Sequence, residues 1–209
     1  MKKLVTLVFV IFCAGCDYDG NLAPPPPAAT ACAPYTYTAA GGPTSPGVTG
    51  TVASITGLPA SLVITGLTAS GTPTWAEAGT YEIKASGTVT SPTGIFRTKQ
   101  WKGKTSFVIN PPTASFAPTT GFSGGSAMTS NSVTITVACT AVYVATYSDP
   151  RGLMTVTVTP TSPQVSTSGT VTLTVARQGE GQASGVLPVT LKPTGGGPSV
   201  VVSIPYSFD

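Results

Sequence analysis

Covalent chemistry in this chain falls to four cysteines, Cys13, Cys16, Cys32 and Cys139, because most other reactive groups are missing. There is no histidine. That removes Ser-His-Asp and Cys-His catalysis, histidine-ligated zinc and the usual general base near neutral pH. No phosphate-loop pattern occurs, and Glu82, Asp149 and Glu180 stand as isolated turn or surface acids. A glycoside hydrolase needs two carboxylates at a defined separation, and nothing here favours a pair. The sequence names no catalytic residue, cofactor or metal ligand, and it does not read as an enzyme. One other group could bind a ligand. Residues 96–104, FRTKQWKGK, hold Arg97, Lys99, Lys102 and Lys104 around Trp101. Strand alternation puts Arg97, Lys99 and Trp101 on one face. Such a face suits an anionic glycan or phosphate, with the indole stacking on a sugar ring. The simpler reading of the same residues is an edge strand that lysines guard against aggregation.

The segment ahead of the thiols decides what becomes of them. Met1-Lys2-Lys3 is a positive n-region, and residues 4–12 are an apolar core of signal-peptide length, too short to span a bilayer. It ends in Cys13-Ala14-Gly15-Cys16. Small residues before a cysteine resemble the lipobox of bacterial lipoproteins, although Cys13 stands where Leu is usual. The resemblance implies a signal peptide over residues 1–15 and a mature chain that begins at a lipidated Cys16. An ordinary secretory signal cleaved nearby is the alternative. Two or three acyl chains would hold the protein firmly on a membrane, where one chain binds only marginally. Residues 16–32 contain Pro24-Pro25-Pro26-Pro27 and read as a stiff polyproline tether, of which 17–31 would span about 45 Å if fully extended. Export opens a disulfide to Cys32 and Cys139. Either the two are bridged, or Cys139 is a buried free thiol.

The elements that must position these residues are strands. Hydrophobic residues make up 41 % of the 209, and charged residues only 8 %, against roughly 25 % in ordinary soluble proteins. Thr and Ser take the outward positions, and β-branched Thr fits a pleat. Gly and Pro cut the chain into short pieces, as at Gly57-Leu58-Pro59 and Gly71-Thr72-Pro73. Strands are expected at 35–38, 52–55, 61–65, 80–89, 95–101 and 105–109. Beyond the leader eight cations nearly match seven acids, so bulk charge does not favour nucleic acid.

Three motifs in this half occur in a familiar order. Gly57-Leu58-Pro59-Ala60-Ser61-Leu62, then Ser70-Gly71-Thr72-Pro73-Thr74, then Ala78-Gly79-Thr80-Tyr81 resemble the Ig-like, cadherin-like module (He_PIG type) of bacterial surface proteins. Ser61 replaces the usual Gly. The resemblance covers about residues 33–110. It implies an Ig-like β-sandwich that serves as a spacer or adhesive unit without catalysis. Some relatives bind calcium through Asp/Asn clusters, and this chain has none to carry that over.

Residues 113–209 read as a second Ig-like sandwich after a hinge at Pro111-Pro112. A loop is expected at 121–126. Residues 132–147 alternate throughout, with Val133, Ile135, Val137, Cys139, Ala141, Tyr143 and Ala145 on one face, which suggests a strand bent by a bulge or crossing between sheets. Further strands are expected at 153–159, 170–176, 186–191 and from Val200 to the end. That last strand also resembles the C-terminal strand of chaperone–usher pilins, used in intersubunit β-augmentation. The expectation is therefore all-β: two tandem Ig-like β-sandwiches behind a lipoprotein signal peptide and a Pro-rich tether. It would be a membrane-anchored cell-envelope protein, periplasmic or surface-exposed, acting as spacer, adhesin or assembly component. Its partners would be the membrane, other envelope proteins, like subunits or polysaccharide. The alternatives are a polysaccharide-binding module and a pilus-like subunit.

Overall fold

Strand after strand in this chain buries every second residue, the period a half-covered sheet imposes. The computed structural model describes residues 18–19, 22, 24–42, 49–90, 98–125, 130–149, 152, 154–159, 164–166, 170–178 and 182–209. The leader, Cys16 and Arg97 lie outside them. The described chain is almost wholly β, with one 3-10 turn at Trp75–Glu77.

The first half contains β1 (Tyr18–Asp19), β2 (Ala29–Thr30), β3 (Tyr35–Thr38), β4 (Thr49–Thr56), β5 (Leu62–Thr65), β6 (Thr68–Gly71), β7 (Gly79–Thr90) and β8 (Lys99–Asn110). One sheet is ordered β4-β7-β8, antiparallel, with β1 and β2 added in parallel to the far edge of β8. The other is ordered β3-β6-β5, also antiparallel. Ile83, Val89, Trp101 and Phe107 of the first sheet share a core with Tyr35, Tyr37, Leu62 and Ala69 of the second.

The second half contains β9 (Ala114–Ala117), β10 (Phe122–Gly124), β11 (Ser130–Val137), β12 (Ala141–Tyr147), β13 (Met154–Thr159), β14 (Gln164–Ser166), β15 (Thr170–Arg177), β16 (Ala183–Pro193) and β17 (Val200–Phe208). Its sheets are ordered β10-β17-β16-β12-β14 and β13-β15-β11-β9. Val133, Ile135, Leu173 and Val175 on one side share a core with Leu187, Val189, Leu191 and Ile204 on the other. Buried Arg177 donates to the Asp209 carbonyl oxygen at 2.9 Å and lies 5.8 Å from the Phe208 ring centroid.

Several expectations change. The pieces at 95–101 and 105–109 belong to one strand from Lys99, because Gly103 faces inward between Trp101 and Thr105 and leaves the ladder intact. The alternation at 132–147 does cross between sheets. It breaks at residues 138–140, so that β11 and β12 lie in different sheets and Cys139 sits at the corner. The loop at 121–126 contains β10, paired in parallel with the end of β17. Thus β17 has β16 along its whole length and β10 over its last three residues, which leaves that end no open edge for another subunit.

The free tether over 16–32 and the hinge at Pro111-Pro112 are corrected most. Tyr18 and Asp19 pair with Trp101 and Lys102, and Ala29 and Thr30 pair with Ile109 and Asn110. Between these ladders Pro26 is buried, and Tyr37 and Tyr35 donate to the Pro24 and Pro27 carbonyls at 2.9 and 3.0 Å. A proline run keeps its carbonyl acceptors though it lacks donors, and the two tyrosines supply the missing protons. The segment is a strap docked along the first sheet. At 111–113, Pro112 is buried, and backbone bonds flank it from Ala31 to Asn110 and from Ala138 to Thr113.

Trp101 is fully buried, and its indole N–H donates to the Thr51 carbonyl at 2.8 Å. To reach β4 it passes over Gly87, where a Cβ would overlap the Thr51 oxygen and lie 2.7 Å from Trp101 Nε1. Gly87→Ala should therefore cost about 1–3 kcal/mol through overpacking. Thermal melting followed by tryptophan fluorescence checks this: a lower midpoint and a red-shifted native emission are expected, and an unchanged midpoint would contradict the packing described.

Candidate functional site

Two features remain once the strands are accounted for: the joint between the halves, and the strap. The joint is built from a loop of each half. Glu77 organises the first loop. Its carboxylate accepts from the Thr74 N–H at 2.8 Å, the Thr74 hydroxyl at 2.9 Å and the Ser61 N–H at 3.2 Å. Burial pushes its pKa upward, but the hydrogen bonds from Ser61 and Thr74 outweigh that and hold it below the ordinary carboxylate value. The carboxylate thus fixes the 3-10 turn that presents Trp75.

Trp75 is almost completely buried, and it belongs to the core of the second half although its sequence lies in the first. Its indole N–H donates to the Pro198 carbonyl at 2.9 Å. The 194–198 loop can approach only because residue 197 is glycine. Gly197 has φ +98°, and a Cβ there would lie 2.5 Å from the Trp75 carbonyl oxygen. Carried on a loop of the first half, Trp75 is the plug of the second core.

Cys32 and Cys139 complete the joint as a disulfide with Cα atoms 5.1 Å apart, within the normal range. Of the two states open to Cys139, the bridge is the one formed, because at the strand corner the buried Cys139 also meets Cys32 of the first half. Cys32 has φ 64°, uncommon for a non-glycine residue, and its N–H donates to the Pro73 carbonyl at 2.6 Å. A cleft of about 490 Å³ opens beside the bridge, with Pro73, Trp75 and Pro193 in its walls. Among the described residues its walls bring together no acid, base or cation.

The basic segment does not assemble a ligand platform. Trp101 points into the core, so its ring cannot stack on a sugar, which corrects the proposed patch. Its neighbours separate by alternation: Lys99 lies on the Trp101 side and is half-buried, whereas Lys102 and Lys104 face out. Lys104 Nζ pairs with Glu82 at 3.2 Å on the exposed surface, where such a pair adds little. Arg97 and Cys16 lie outside the described residues. Among the described residues no group of Cys, Asp and Glu forms a metal site, and no helix is long and apolar enough to cross a membrane.

Compared with protein-family models, the chain matches none, and no curated protein matches it.

The joint and the strap each generate a test. In the chain from residue 17 onward, denaturation without reductant should expose no reactive thiol, and reduction should release those of Cys32 and Cys139. Two reactive thiols before reduction would exclude the bridge. Cys32→Ala should cost on the order of 2–5 kcal/mol in urea unfolding, because the bridge closes a loop of 107 residues. The strap responds to alkali. Burial, with the Tyr37 phenol adding to it, pushes the Tyr35 pKa to about 12, and burial raises Tyr37 as well. A folded pKa above the unfolded value of about 10 means stability held below that pH and lost as pH climbs toward the folded value. The melting midpoint should fall through this window, and fall less in Tyr35→Phe; equal slopes would show that Tyr35 does not hold the strap through its proton.

Proposed function

We propose that this chain is an exported, lipid-anchored protein of the bacterial cell envelope, made of two tandem Ig-like β-sandwiches and acting as a structural spacer. The Cys32–Cys139 disulfide carries the reading. Disulfides persist where thiols are not kept reduced, which supports export, and this one joins two halves that are already packed through Trp75. A protein that works by holding a distance needs such a joint. The Ig-like assignment draws support from eight and nine strands in the two halves, each half being two sheets around a single core. The anchor at Cys16 rests on the lipobox-like run that ends there. Adhesion and envelope assembly are uses to which the same spacer could be put. A polysaccharide-binding role loses its main support with Trp101 buried, and a pilus-like role loses its own with the end of β17 paired on both edges.

In bacteria fed labelled palmitate, the full chain should carry label and sediment with membranes, and Cys16→Ser should carry none and appear in the soluble fraction. An unlabelled wild type, with the variant retained on the membrane as before, would remove the anchor.

A further inference from the structure

The strap fixes which part of the protein would lie on the membrane. Only Asp17 separates Cys16 from Tyr18, so their Cα atoms are at most about 7.6 Å apart. Tyr18 is laddered to Trp101, near the start of β8. A polyproline tether would have left the first half free to stand off and tumble. A docked strap does not.

We infer that the end of the first half carrying Tyr18, Lys99 and Gln100 sits against the lipid headgroup layer, with the protein held upright on it. This rests on the anchor proposed at Cys16. The direction follows from the register. β1 and β2 run parallel to β8, Tyr18 opposite Trp101 and Ala29 opposite Ile109, so the strap climbs from the anchored end over about 26 Å of strand. Ala31 then bonds to Asn110, and Cys32 bridges to the second half. There Val200 of β17 follows the 194–198 loop that packs on Trp75, and Ser207 lies near the opposite end of the strand. The order outward from the bilayer is the Gln100 end, the joint, then the Ser207 end. The contacting surface suits headgroups: Gln100 is exposed, and the half-buried Lys99 brings a cation to the same end.

The test uses the full acylated chain on vesicles of phosphatidylethanolamine and phosphatidylglycerol that carry a headgroup nitroxide. A fluorophore is attached through Gln100→Cys in one sample and Ser207→Cys in another, both positions being exposed. Flotation comes first: a chain that does not float with the vesicles overturns the anchor and this inference with it. Among floating samples, the label at 100 should lose most of its emission and the label at 207 essentially none. Equal quenching of the two labels, weak or strong, overturns the upright placement while leaving the anchor intact. A third sample removes the hydroxyls of Tyr35 and Tyr37 by Phe substitution. Quenching at 100 should fall as the strap loosens, and unchanged quenching would overturn the part assigned to the strap.

Discussion

Every amide and carbonyl on a buried sheet edge must find a partner, and in this protein the strand that makes that demand is β8. It is twelve residues long, and β7 covers one edge of it. Its other edge would lie open for its whole length. Exposed edges of that length invite pairing with other chains, and the protein closes this one with its own N-terminal segment, twice, at Tyr18–Asp19 and at Ala29–Thr30. The rest of the first half follows. Tyr35 and Tyr37 turn their hydroxyls toward the proline carbonyls of the strap. Trp101 is sealed beneath the ladder, with its N–H satisfied by Thr51. Cys32 arrives at the end of β8, where Cys139 can meet it.

The joint between the halves shows how a small set of unlike interactions can replace a broad interface. The disulfide fixes one point, Trp75 fills the second core at another, and the glycine at 197 lets the backbones close over it. Each acts differently: the bridge limits the entropy of the unfolded chain, the indole buries area, and its N–H donates to the Pro198 carbonyl. Glu77 stands behind the second of them, since the turn that aims Trp75 is held by its carboxylate.

The long strands were legible in the sequence because each carries several periods of alternation. Residues 35–38, 80–89, 170–176 and 200–208 fall inside observed strands for that reason. Alternation also placed Trp101 and Lys99 on one side of β8 and left Lys102 and Lys104 on the other. It could not say which side is solvent, so Trp101 read as a surface ring when it is a core residue. The two- and three-residue strands β1, β2 and β10 have no period to detect, and all three pair in parallel with partners far along the chain. The length of the alternation over 132–147 suggested a bulge or a crossing between sheets, but its place at 138–140 was hidden because the inward set continues through it, from Val137 to Cys139. The prolines misled in another way. Composition gives their backbone shape, but whether an extended segment is free depends on acceptors being met, and those donors are tyrosines eight and thirteen residues later.

The bridge also decides how the molecule bears tension. Pulled between the strap and the second half, the covalent path runs from Cys32 through sulfur to Cys139 and bypasses the chain between them. That excluded length of 107 residues, most of the first half together with β9, β10 and β11 of the second, would pay out about 350 Å if it were in series and unravelled. With the bridge closed it pays out nothing, because residues 33–138 hang as a loop beside the loaded line. The first half then serves as a cleat for the cord that passes along it, and the molecule stays short under a load that would lengthen an ordinary string of domains.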